Sequence, residues 1–197
     1  MDPITQKPLI RVRRFWVVCV FAIALAFVIS AVFGDGTLPE LLIEGQPVVV
    51  QIGWGITFGL AISVPSMLVV FFVPLFSSLR RQLLHLVGRL DLGALNPLWI
   101  SLSAGIGEEL LFRGALQPIV GIWWASFIFT VAHFRSGQFH SMNWQKLIYA
   151  ASVFIAGLFL GYVFIEIGLV AAIVTHASVN VVSLFIARRV LRVSTYA

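Results

Sequence analysis

The chain has 197 residues, 60% of them hydrophobic and 11% charged, with a mean hydropathy of +1.02. A soluble domain of this length has enough polar side chains to cover its surface and this chain does not, so the composition excludes a water-soluble globule and fits one integral membrane domain over residues 1–197. The net charge of +5 calls for no nucleic-acid partner, because the basic residues gather at the ends of apolar runs, where membrane topology accounts for them.

A helix needs about 20 apolar residues to cross a ~30 Å hydrocarbon layer. In chain order the segments that qualify, or nearly so, are 15–33, 48–76, 97–118, 121–134, 147–165 and 168–186. The first begins with a basic cluster and resembles a secretory signal, but its apolar run is too long, and an uncleaved anchor is expected. Cys19, the single cysteine, falls inside it and is expected to pack as a small hydrophobe. The second segment is overlong and contains Pro65, which predicts a kink or strong tilt. Between the second and third, Leu83, Leu84, Val87 and Leu90 share one helical face beside Arg80, Arg81 and Arg89, the pattern of a helix lying in the membrane interface. The fourth segment is short and predicts a helix that ends within the membrane. In the fifth, Gly157 and Gly161 permit close helix packing.

No alternating barrel pattern is present, so the expected fold is all-α: a polytopic membrane helical bundle of about six transmembrane helices plus a cytoplasmic interfacial helix. Of the 13 basic residues, all but Arg113 lie at one set of segment ends, from Lys7 and Arg11 to Arg135, Lys146 and Arg192. The opposite loops carry Asp35, Glu40, Glu44 and Glu166. The positive-inside rule then predicts a multi-pass protein of the cell inner membrane with both termini cytoplasmic.

Against this background "SAGIGEELLFRGAL", residues 103–116, places three ionisable groups within an apolar run. Such groups cost a few kcal/mol each to insert and usually face a polar cavity. Glu109 and Arg113 are four apart with the acid on the N-terminal side, which favours pairing on one helix face. Glu108 is rotated about 100° away and needs another partner, which leaves it as the carboxylate available for chemistry. His85 and His140 fall in loops, whereas His133 lies near the end of the fourth segment and His176 within the sixth, one turn before Asn180. Counting 1.5 Å per residue puts Glu108 and His176 roughly 15 Å, and Asn180 and His133 roughly 10 Å, from the cytoplasmic face. All four depths suit one cavity. A carboxylate beside a histidine can hold and deprotonate water, and His176 with Asn180 can donate to an oxygen that becomes negative during acyl transfer. That set suits direct water attack on an amide or ester.

The residues also match three motifs. "EELLFR" fits E-E-x-x-x-R, "FTVAH", Phe129 to His133, fits F-x-x-x-H, and "HASVN", His176 to Asn180, fits H-x-x-x-N. In that order, on three separate helices, they resemble the CPBP (ABI) family of intramembrane glutamic proteases, which includes the type II CAAX prenyl endopeptidases. The resemblance covers about residues 98–187, the motif-bearing core. It implies Glu108 as general base, His133 orienting the water, His176 and Asn180 as the oxyanion site, and Glu109, Arg113 and Phe129 in support. It further implies no cofactor, a membrane-lipid environment, and a protein or peptide substrate. A prenylated CAAX tail and a C-terminal sorting signal are equally good candidates, and the oligomeric state is left open.

Other classes stay in view. A zinc protease would show H-E-x-x-H on one helix and a di-iron bundle E-x-x-H pairs; neither occurs, so no metal is expected. A transporter or proton relay also uses intramembrane Glu and His, but usually with repeats and interrupted helices in matching positions. A bacteriocin immunity factor is the non-proteolytic alternative.

Overall fold

The computed structural model describes residues 10–34, 38–135 and 144–195. Lys7, Asp35 and His140 lie outside the described residues, as do the side chains of Arg135 and Lys146. Among the described residues seven α-helices follow one another: α1 (Val12–Phe33), α2 (Val48–Phe72), α3 (Ser77–Val87), α4 (Asn96–Glu109), α5 (Gln117–Arg135), α6 (Trp144–Glu166) and α7 (Leu169–Thr195). A π-helical segment, Leu110–Leu116, joins α4 directly to α5. The expected all-α membrane bundle is what the chain forms. Among the described residues five apolar helical stretches are long enough to span a bilayer, the third running from Asn96 to His133.

That third stretch contains the two segments that the sequence separates, and its course is decided at Gly121. There the backbone adopts φ 79° and ψ 165°, a region that glycine alone enters without strain. In an unbroken helix residues 108 and 133 would stand roughly 37 Å apart. Instead a carboxylate oxygen of Glu108 is 3.4 Å from His133, so the two arms fold back on each other. The chain thus passes through the bundle in six arms. The short fourth arm is the returning half of a hairpin.

Hydrogen bonds at the two ends fix this alternation. At one end the Ile10 N–H donates to the Arg89 carbonyl at 2.8 Å and the Asp91 N–H to the Ile10 carbonyl at 3.1 Å. Arg188, near the end of α7, donates from Nη1 to the carbonyls of Leu92 at 3.1 Å and Ala94 at 2.8 Å. At the other end the Gln46 N–H reaches the Ile167 carbonyl at 2.9 Å. Buried Gln51 donates to the carbonyls of Glu44 and Gln46, both at 2.8 Å, and accepts from the Ala171 N–H at 3.2 Å. A bare carbonyl within an apolar layer would cost several kcal/mol, so these caps hold the loops where water is scarce.

Packing follows the small residues. α7 lies between α2 and α4: Gly55 and Gly59 face Val174 and Ser178, and Gly105 faces Ile173 and Ala177. Gly157 and Gly161 let α6 close on Ser126, Gln117 and Ile122. Cys19 is buried, as its apolar setting implies, with α1 so near α4 that a side-chain carbon on Gly107 would meet the Cys19 backbone. Helices in lipid gain little from hydrophobicity and associate through such close contact. α2 runs unbroken through Pro65 and stops at Phe72, and the surplus length forms a 3₁₀ turn, Pro74–Phe76, leading into α3. α3 is the expected amphipathic helix, with its arginines at the same end of the bundle as Arg11, Arg188 and Arg192.

The conformation at Gly121 has an energetic consequence. A side-chain carbon there would meet nothing within 4 Å, so Gly121→Ala tests backbone strain without crowding. We expect a loss of about 1–3 kcal/mol, read by thermal unfolding in detergent. Gly53→Ala, equally open but in ordinary helix, should leave the midpoint unchanged or higher.

Candidate active site

Glu109 and Arg113 are both fully buried, with Arg113 Nε donating to Glu109 Oε2 at 3.0 Å. The pair spans the junction between α4 and the π segment. A π turn lets the strand of backbone widen by one residue per turn, and such segments concentrate at functional sites. Arg113 Nη1 and Nη2 make no hydrogen bond among the described residues. The Phe129 ring, 5.2 Å from the guanidinium carbon, offers its electron-rich face instead.

The second oxygen of Glu109 is also engaged. Oε1 lies 2.7 Å from Nδ1 of His176, so Arg113, Glu109 and His176 form one continuous chain of charge-assisted contacts. This link between Glu109 and His176 crosses from α4 to α7 and has no counterpart in the spacing of the motifs. Only two helices packed at Gly105 and Ala177 bring it about.

Glu108 points elsewhere, as one residue of helix rotation requires. Its Oε2 faces two imidazole nitrogens, Nε2 of His133 at 3.4 Å and Nε2 of His176 at 3.9 Å. Glu108 and His133 are 31% and 29% exposed, against 0% for Glu109 and 10% for His176. One carboxylate is thus sealed in the bundle and the next opens to the outside.

The far sides of both rings fix which nitrogen carries a proton. His133 Nδ1 lies 2.9 Å from the Phe129 carbonyl, which can only accept, so Nδ1 is the donor. His176 Nδ1 donates in the same way to the Glu109 carboxylate. In the neutral rings both Nε2 atoms therefore turn lone pairs toward Glu108.

Phe129 is the hub of the surrounding wall. Its ring lies 5.1 Å from Phe112, 4.2 Å from the His133 imidazole and 6.2 Å from that of His176. Asn180 stands one turn beyond His176 on α7, half-buried. No hydrogen bond among the described residues ties it to either glutamate. Two residues that the motifs do not contain come within electrostatic reach of Glu108: Cys19 on α1 and Tyr149 on α6. Nothing in their local sequence signals this, since their placement depends on how α1 and α6 pack.

The buried pair generates a stability prediction. Arg113→Met strands the Glu109 carboxylate and should destabilise the fold by about 3–5 kcal/mol. Adding Glu109→Gln should restore much of that loss, and a double-mutant cycle on unfolding in detergent measures the coupling.

Similarity to known proteins falls on this same region. Residues 91–182 match the family described as type II CAAX prenyl endopeptidase Rce1-like. The sporulation-killing factor biosynthesis protein SkfC of Bacillus subtilis is 31% identical over 42% of this chain and 18% of its own length. The B. subtilis protein YpbD is 37% identical over 31% of each chain. Both matches thus span less than a third of the relative's length. No solved structure matches the chain. The matched segment, 91–182, carries both glutamates, Arg113, His133, His176 and Asn180, so the similarity to the Rce1-like family of type II CAAX prenyl endopeptidases falls on the site itself.

Proposed function

We propose that this multi-pass membrane protein is an intramembrane glutamic-type endopeptidase that hydrolyses a peptide bond in a membrane-associated protein or peptide. The observation that carries the proposal is the division of labour between adjacent carboxylates. Glu109 is neutralised on both oxygens by Arg113 and His176, whereas Glu108 faces two imidazole nitrogens at the edge of the bundle.

The chemistry follows from that arrangement. A water held by Glu108 and His133 loses a proton to this pair as its oxygen attacks the scissile carbonyl carbon. The carbonyl oxygen becomes negative in the tetrahedral intermediate and needs donors. His176 supplies one from Nε2 only as an imidazolium, because its Nδ1 proton is committed to Glu109; the Glu109 carboxylate faces that positive charge. The Asn180 amide, one turn away, supplies the second. Collapse of the intermediate breaks the carbon–nitrogen bond, and the proton taken from water passes to the departing amine. No serine or cysteine is needed as a nucleophile in this scheme.

Arg113 and Phe129 act at one remove, the first holding Glu109 and the second packing against both imidazoles. The relative named for sporulation-killing factor biosynthesis supports a substrate handled in the making of such a factor, and the similar family supports a C-terminal segment, prenylated or not. The arginine-rich end of the bundle supports a location in the inner membrane with both termini cytoplasmic, which would let a juxtamembrane or C-terminal peptide approach from inside.

The test is cleavage of membrane-anchored reporter peptides by purified protein in liposomes, followed by mass spectrometry. Glu108→Gln and His133→Ala should each lower the rate by about 10²–10⁴-fold, with little change in unfolding midpoint because neither residue belongs to the buried ion pair. Full activity of Glu108→Gln would overturn the assignment of the base. A biological role that survives this substitution would favour an immunity-type binding function instead.

A further inference from the structure

At the arginine-rich end of the bundle a pocket of about 200 Å³ lies between the end of α7 and the connection from α3 to α4. Its walls are of two kinds. Val87, Leu90, Leu92 and Leu191 make one side apolar, and Arg188 and Arg192 make the other cationic. Among the described residues, Arg188 uses only Nη1, on the Leu92 and Ala94 carbonyls. Its guanidinium is held over the Phe185 ring at 4.4 Å, which fixes its position without neutralising it. Arg192 makes no ion pair or hydrogen bond among the described residues and is exposed. The neighbouring acid, Asp91, accepts from the Gly93 N–H at 3.2 Å, and no ion pair ties it to Arg188 or Arg192 among the described residues. The lining itself holds two guanidinium groups and no carboxylate.

We propose that this pocket binds the headgroup of an anionic phospholipid. A phosphodiester whose headgroup carries no ammonium keeps its net negative charge for two arginines, one of them pre-positioned, whereas a choline ammonium would be repelled by them. The leucine wall matches the first methylenes of an acyl chain, which a free phosphate lacks. The location agrees, because the pocket adjoins the amphipathic α3 at the level where a span meets its interface. A lipid seated there ties the end of α7 to the chain entering α4, the two helices that bear His176 and Glu108. The inference stands independently of the peptidase reading.

Native mass spectrometry of the whole protein in neutral detergent tests it, with phosphatidylglycerol and phosphatidylcholine of identical chains as probes. Phosphatidylglycerol should be retained preferentially. Arg192→Gln should weaken its retention about fivefold, Arg192→Lys should keep most of it, and Arg81→Gln, on α3 but outside the pocket, should matter little. Equal retention of the two lipids, or an equal loss in Arg81→Gln, would overturn the proposal. Displacement of the lipid by excess inorganic phosphate would also overturn it, by reassigning the pocket to a soluble anion.

Discussion

A fully buried arginine in an apolar bundle must be neutralised, and that requirement shapes everything around the site. Inserting a charge at the centre of a membrane costs about 3 kcal/mol or more on translocon scales. Here Arg113 is met by Glu109, and Glu109 is met in turn by His176 from another helix. Three ionisable groups are thereby converted into one nearly neutral, rigid unit. The unit cannot be taken apart cheaply, because removal of Arg113 or Glu109 strands the charge of the other. Glu108, the residue before Glu109 in the chain, inherits a defined orientation and is not itself consumed.

The backbone makes this possible by unusual means at two points. The π segment places Arg113 back against Glu109 where α4 hands over to the next helix. Gly121 then reverses the chain, so that an arm rising with Glu108 returns with His133 beside it. The distances from the turn to the two residues along the chain are almost equal, which brings them level. α7 completes the set from the other side, pressed against α4 at glycine and alanine positions with its histidine between the two glutamates.

Hydrogen-bond geometry connects this architecture to the proposed hydrolysis. Two imidazoles, each with its outer nitrogen committed to a fixed acceptor, present the same inner nitrogen to one carboxylate. The proposed hydrolysis needs neighbouring proton acceptors of this kind, because a proton removed from water must later reach the leaving amine. Burial of Glu109 against partial exposure of Glu108 sets a sealed carboxylate beside an accessible one.

The sequence by itself determined the membrane class, the helical fold, the amphipathic α3 and the pairing of Glu109 with Arg113, because each depends on local composition or on a spacing within one helix. The six arms were countable from charge alternation, and their depths already brought Glu108, His133 and His176 to similar levels. The hairpin was hidden, since a glycine at the start of an apolar run does not announce positive φ, and the third and fourth segments remain one helical stretch by length and hydropathy. Only the tertiary structure decided that His176 binds Glu109 through Nδ1 and that Cys19 and Tyr149 come within electrostatic reach of Glu108. It also decided that Leu92, Arg188 and Arg192 share one pocket. Those contacts join residues on different helices, and the approach of two helices is set by the sum of small packing choices along their whole length rather than by any short pattern.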